Sequence, residues 1–381
     1  MRLKDKLKVS IITSFINKSK KNNPFDENSA ELFQLPEDAD GNMNNSYYFS
    51  AHDIGERNSL IFRLGKRGGA YYEVWFACRD SKGAYWVNIK QLFKVADCPV
   101  SVKCLEAGKK WDFNFKGKLE KTFLNKDLQA IPAGQGAEPE NLQETEQETG
   151  QKTGHETGQA GEQQTMASFE GTFTATTGIF EFSRHMDTTP IARALSKEKW
   201  SRSFLNSLKE NHQVHYEQQG EIEGTLVLNG RQSKIKCSAM RDHSYGKRDW
   251  DYMDRHIWLM ALLENGDALN VNMVRYPAVS EIQTGYLISE GRTTCIDSVT
   301  SMDNLECNGH VPSVFQYTVK FADGRTLLVT CKKELEFIFP FNDGKYTIFE
   351  GIGSFSLDNG IKGRGIIEFG FNANASRWSR S

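Results

Sequence analysis

The sequence has no apolar run approaching the roughly eighteen residues that a membrane-spanning helix needs, so no transmembrane segment is expected. It has no excess of either charge: 47 Lys and Arg stand against 49 Asp and Glu, for a net charge of -2. That excludes the basic field that gathers phosphate backbones, and no nucleic-acid partner is expected. Its seven cysteines are scattered and form no C-x-x-C pair, which argues against a disulfide framework or a cysteine zinc site and fits reduced thiols in the cytoplasm. There is no G-x-x-x-x-G-K-[ST] loop, no G-x-G-x-x-G opening a helix and no G-x-S-x-G elbow. No cofactor is expected. His212 and His215 are spaced like metal ligands, but without a matching third ligand no metal site is assigned.

What is present is the texture of a β protein. Segments such as AYYEVWFACRD, EGTLVLNGRQSKIKCSAM and QYTVKFADGRTLLVTC alternate apolar and polar residues. Turn signals punctuate them at Asn229-Gly230, Asn265-Gly266, Asp323-Gly324, Asp343-Gly344 and Asn359-Gly360. Antiparallel strands in such numbers hide one face best by closing into barrels, so the fold class expected is all-β with two tandem antiparallel barrels. The boundaries read as an N-terminal arm over 1–45, a first barrel over 46–185, a linking helix over 186–213 and a second barrel over 214–375. For that helix, Thr189 can cap, Pro190 suits the first turn, and Trp200, Phe204 and Leu208 recur at helical spacing. Within the first barrel, residues 133–165 lack aromatics and repeat QETG, QKTG and HETG. Such a stretch buries too little to offset its ordering entropy, so an insert at about 132–167 is expected to be disordered. The arm, MRLKDKLKVSIITSFINKSKKNN, has basic flanks around a short apolar stretch without a small-residue cleavage site. It reads as an amphipathic helix or loose arm, making at most weak contact with an anionic membrane surface.

The most crowded stretch is SAMRDHSYGKRDWDYMDRHIWLM, residues 238–260, with two His, four Asp, three Arg and two Trp. A strand over 238–245 places Arg241, His243 and Tyr245 on one face and Asp242 and Ser244 on the other. In the next hairpin, a two-residue type I′ turn at Asn265-Gly266 would pair Met260 with Val271, Trp258 with Met273 and His256 with Arg275. Asn270 and Asn272 would then share the opposite face, where they must meet solvent or a polar partner. So dense an alternation of Asp and Arg also suits an ion-pair network that holds a structural corner. The convergence of His243, Tyr245, Trp250, His256 and Trp258 points instead to an aromatic-walled cavity containing groups able to move protons. Other motifs are weaker. His52, Asp53 and Arg57 lie near a turn, GKRGG reads as a turn, and the glycines of GIGSFSLDNGIKGRG read as turns and close strand packing.

Asp242-His243-Ser244-Tyr245-Gly246 resembles the D-H-x-W-G signature of the two-barrel lipocalin-like proteins grouped with AttH and the bacterial carotenoid hydratases, with Tyr245 in place of Trp. HYEQ (215–218) and GRGIIEFGF (363–371) extend the likeness. The resemblance implies two lipocalin-like barrels with a ligand cavity, in a group that includes hydratases, cyclases and lipid binders. Only Asp242, His243, Tyr245 and Gly246 carry over. The function expected is the binding of a hydrophobic small molecule (isoprenoid, steroid or lipid-like) and a cofactor-independent hydration, isomerisation or cyclisation on it. Asp242, His243 and Tyr245 are the expected catalytic set. Trp250, His256, Trp258, Met273 and Arg275 would bind ligand, supported by Arg241, Arg248, Asp249 and Asp254. A non-catalytic carrier, or a structural partner-binding protein, remains open beside it.

Overall fold

The computed structural model describes residues 3–373 apart from 23–24, 37–38, 40–42, 56–57, 69–70, 81, 89–90, 125–129, 133–163, 202–203, 205–212, 248–252, 301–311 and 342–343. The insert expected to be disordered therefore lies almost entirely outside the described residues.

Two closed antiparallel barrels account for most of the chain. The first runs through β1 (Met43–His52), β2 (Ser59–Arg67), β3 (Tyr71–Arg79), β4 (Tyr85–Asn88), β5 (Lys110–Leu124), β6 (Gln164–Ala175), β7 (Gln213–Leu228) and β8 (Arg231–Lys247). Strand β8 returns to pair with β1, Asn45 facing Tyr245 and Ser50 facing Met240. The second runs through β9 (Arg255–Leu263), β10 (Ala268–Tyr276), β11 (Val279–Ser289), β12 (Arg292–Val299), β13 (Val314–Phe321), β14 (Thr326–Phe341), β15 (Tyr346–Leu357) and β16 (Lys362–Asn372), and β16 closes on β9. The boundary expected at residue 214 is thus corrected. Strands β7 and β8 complete the first barrel, and the second begins at Arg255. Hydrophobic patterning marks strands but not which sheet they join.

Alternation sorts the side chains into three apolar layers. Phe49, Phe62, Phe76, Phe113 and Phe115 fill the first barrel. Ile257, Leu259, Val271, Met273, Val319 and Phe369 belong to the cluster inside the second. Between the barrels lies a third cluster, in which Tyr48, Trp75 and Met240 of the first meet Trp258, Met260, Tyr286 and Ile348 of the second.

The hairpin at Asn265-Gly266 corrects the expected register by one residue, Trp258 pairing with Asn272 and Leu259 with Val271. At Asn229-Gly230 both residues have positive φ and Leu228 pairs with Arg231, the two-residue turn that Asn-Gly favours. In the other loop only Gly266 has positive φ; its N–H donates to Leu263 and the Leu263 N–H to Asp267. Asp267 is held by the side chains of Asn265 (2.8 Å) and Ser289 (2.8 Å), which draws it into the loop and lengthens the turn. A one-residue slip exchanges the two faces of a strand. Met273 accordingly faces the interior of the second barrel, and Asn272 and Val274 face the first.

Helix α1 (Leu3–Asn22) packs Val9, Ile12 and Ile16 against α4 (Thr188–Lys197) and Val279. The short helices α2 (Glu27–Glu31) and α3 (Phe182–His185) lie between them in the chain. Helix α4 is shorter than expected. Asp187, not Thr189, is its cap, accepting from the Thr189 N–H, and Trp200 lies beyond its end. Among the glycines of 351–365, a Cβ on Gly365 would sit 1.8 Å from the Met260 carbonyl oxygen, so the expected role in close strand packing holds there.

Candidate functional site between the barrels

The period of two on β7 and β8 decides which polar groups meet. Glu217 lies opposite Asp242, and His215 opposite Ser244, all facing the second barrel. Tyr216, Arg241 and His243 face the other way.

On the inter-barrel side a cavity of about 170 Å³ opens, walled by Tyr48, Trp75, Trp258, Val274 and Ile348 and carrying His215, Asp242, His256, Glu368 and Arg63. The cavity expected inside the second barrel is thus replaced by one between the two barrels, because the register places His256 and Trp258 on the outer face of β9.

Each barrel contributes an imidazole–carboxylate pair. From the first, His215 Nε2 contacts Asp242 Oδ2 and lies 3.6 Å from Glu217 Oε1. The His215 ring stacks on Phe182 at 4.5 Å. Behind it, Glu217 accepts from Trp258 Nε1 (2.9 Å), Asn270 Nδ2 (3.2 Å) and the Tyr286 hydroxyl (2.5 Å). Burial pushes the Glu217 carboxyl up to about 7, against the pull of His215 and of these donors. Asn272 donates to Asn270 at 2.6 Å, so both asparagines are buried and bonded, as the sequence required of them.

From the second barrel, His256 bonds the Tyr346 hydroxyl through Nδ1 and Glu368 through Nε2, both at 2.5 Å. Glu368 faces Glu350 directly across the strands, and Tyr48 donates to Glu350 at 2.5 Å. Burial and the neighbouring charge of Glu368 raise Glu350 well above the carboxylate range. Burial would raise Glu368 too, but His256 and the hydrogen bond with Glu350 bring it down. Two like charges this close do not both ionise, so Glu350 carries the proton and Glu368 the charge.

His243 has a different setting. Its ring stacks on Tyr47 at 4.2 Å, Nδ1 meets the Tyr216 hydroxyl at 2.5 Å and Nε2 meets Asn45 Oδ1 at 2.8 Å. Arg241 joins this network through Glu31 of α2, which also accepts from Tyr216 (2.9 Å) and Trp111 (3.0 Å). Burial lowers His243 well below its ordinary value, so it is neutral. Tyr245 stacks on Phe33 at 4.3 Å on the same side.

The structure therefore separates the expected set. Asp242, His256 and Trp258 share the cavity, while His243, Tyr245 and Arg241 lie behind it. Met273 is inside the second barrel, and Arg275, two residues further along the strand, pairs with Glu281 at 3.0 Å. Asp254 is buried, its backbone bonded to Arg275 and Asn372. Arg248, Asp249 and Trp250, like His212 and Arg57, lie outside the described residues. Sequence reasoning missed Glu217, Glu350 and Glu368. Their signal was a carboxylate at a buried position of an apolar strand, unusual unless paired.

Atoms of His215, Glu217 and Asp242 lie within 4.8 Å of one another, close enough for a metal ion. Both Glu217 oxygens already accept hydrogen bonds, which fits a bonded acid better than a ligand.

A raised carboxyl has a stability consequence. Between about pH 4.5 and 7 the folded protein holds a proton on Glu217 that the unfolded chain has released, so stability falls as pH rises through this window, by up to about 1.4 kcal/mol per pH unit. Glu217→Gln is expected to flatten that slope in urea unfolding at stepped pH; an unchanged slope would refute the assignment.

Several solved structures are similar. They include a putative AttH from Nitrosomonas europaea (12% identity, TM-score 0.49, covering 88% of this chain and 96% of that one). Kievitone hydratase from Nectria haematococca has 11% identity and a TM-score of 0.48, covering 94% of this chain and 98% of that one. CghA with Sch210972 has 8% identity and a TM-score of 0.49, covering 91% and 93%. The architecture stands on the strand pairing above, and these likenesses carry no activity to this chain. No curated protein matches it. A family model does match, over residues 27–373, and by that match the chain belongs to the family described as the domain of unknown function DUF7064.

Proposed function

We propose that this protein binds the reacting end of a hydrophobic small molecule between its barrels and moves protons on it without a cofactor, in a hydration, isomerisation or cyclisation. The observation that carries this reading is the opening of two imidazole–carboxylate pairs, one from each barrel, onto one aromatic-walled cavity. A void of about 170 Å³ is close to one that holds a single small ring, so an isoprenoid, steroid or fatty-acyl compound would enter by one end and leave its remainder outside.

In this scheme Asp242, paired with His215, exchanges a proton with the ligand from one wall, and His256 with Glu368 takes or returns one from the other. Trp258 offers its indole to positive charge developing on the ligand, while Trp75, stacked on Phe339 and on the Arg63 guanidinium, stiffens the wall. Arg63, whose guanidinium lies 4.2 Å from the Trp75 ring, is buried and paired with Glu73 at 2.5 Å, so its charge is already met within the wall.

Val274→Trp tests the site by filling it. Native mass spectrometry before and after organic extraction is expected to show a bound mass in the wild type that is absent from the variant, with little change in melting temperature. A mass that persists in the filled variant sinks the proposal. Ligand recovered chemically unchanged after long incubation would reduce it to a carrier.

A further inference from the structure

Helix α1 carries two apolar faces, and only one is used. Val9, Ile12 and Ile16 dock on α4 and the second barrel. Leu7, Ile11 and Phe15, at i, i+4 and i+8, form a stripe on the other side and are 64%, 51% and 69% exposed. Three large side chains held in water along one helix face mark an interaction surface rather than the scatter of single exposed residues that soluble proteins tolerate.

The charges around this stripe point to its occupant. Lys18 continues the stripe one turn beyond Phe15 and Lys21 borders it, both exposed. Asp5 is the helix's only acid, in its first turn. Two other lysines are committed to the body of the protein: Lys8 donates to the Ser196 (3.0 Å) and Glu198 (2.7 Å) carbonyls, and Lys20 to the Met186 carbonyl (2.5 Å). They fix the rotation of the helix, so the apolar stripe, Lys18 and Lys21 face away from the body of the protein. No helix among the described residues is long and apolar enough to cross a membrane. An apolar stripe bordered by ammonium groups is the design of a helix that lies in the plane of a lipid interface.

We infer that α1 is a docking surface for an anionic membrane, with Leu7, Ile11 and Phe15 entering the headgroup boundary and Lys18 and Lys21 meeting acidic headgroups. The docked helix adjoins the cavity. Its C-terminal end accepts from Arg184 of α3 at the Lys20 carbonyl (2.8 Å), and Phe182 of α3 stacks on His215. The docking stands without the proposed function, since lipid binding is read with no ligand in the cavity.

The test is co-sedimentation of the full chain with phosphatidylcholine vesicles with and without about 30% phosphatidylserine, at about 150 mM salt. Binding to the anionic vesicles is expected to exceed that to phosphatidylcholine alone by about tenfold or more. A Phe15→Trp reporter is expected to shift its emission to the blue only with the anionic vesicles. Leu7→Ser/Ile11→Ser/Phe15→Ser, and separately Lys18→Glu/Lys21→Glu, are expected to fall to the phosphatidylcholine level with melting unchanged. Equal or absent binding to the two vesicles overturns the inference. So does a lipid-free dimer, seen by light scattering, that the triple serine variant dissociates, because the stripe would then belong to a second copy of the chain.

Discussion

Arg241→Ala is expected to destabilise the protein by about 3–5 kcal/mol, the range for removing one partner from a buried ion pair. The Arg241 side chain is fully buried; one guanidinium nitrogen bonds Glu31 Oε1 at 2.5 Å, and the guanidinium lies 3.6 Å from the Trp111 ring centroid. Removing it strands the Glu31 carboxylate among Trp111, Tyr216 and Tyr47 in a site that water does not reach. The loss should appear as a lower urea midpoint. Arg241→Met combined with Glu31→Gln is expected to recover much of it, because the stranded charge is then gone as well. A single-variant loss below about 1 kcal/mol would mean that Glu31 finds water or a new partner.

Asp242 and His243 are neighbours in the chain and are expected to respond in opposite ways. Asp242→Asn keeps the shape of the side chain but removes the charge opposite His215, and is expected to lower turnover of an identified substrate by about 10²–10⁴-fold, with the fold retained. His243→Ala removes a neutral ring bonded at both nitrogens and stacked on Tyr47, leaving Asn45 and Tyr216 buried with a lost partner each. It is expected to lower stability by about 2–5 kcal/mol while the folded fraction turns over normally. Turnover is measured per folded molecule, with circular dichroism supplying the fraction. If Asp242→Asn is as active as the wild type, the inter-barrel cavity is not where the chemistry occurs.

The sequence made the alternation of this strand legible, because a period of two needs no partner: Arg241 and His243 were separated from Asp242 on that ground alone. Which face holds the cavity depends on β1 and α2, some 200 residues away, and no local pattern carries that. The same limit hid the pairing of Glu217 with Trp258, which belong to different barrels, whereas Glu350 and Glu368 face each other across the hairpin at Asn359-Gly360, a local pairing that counting outward from the turn would have found. The hairpin after β9 failed for a different reason. Asn-Gly predicts a turn from its own backbone preferences, but Asp267 is anchored by Ser289 on a third strand, and that one tertiary contact moved Met273 inward and Asn272 outward.

The first barrel closes only through β7 and β8, which follow the segment at 125–163 and the helix at 188–197. During synthesis no barrel is finished until residue 247 has been made, and the second must then be built against a wall already in place. A clip within 133–163 falls between β5 and β6, which pair with each other, and severs no ladder among the described residues. A fragment that stops before residue 213 lacks His215, Glu217 and Asp242 together with the strands that seal its own barrel, so dissecting this protein into halves at that point would yield one piece with an open seam and another that carries both imidazole–carboxylate pairs, with β7 and β8 stripped of their partners β6 and β1.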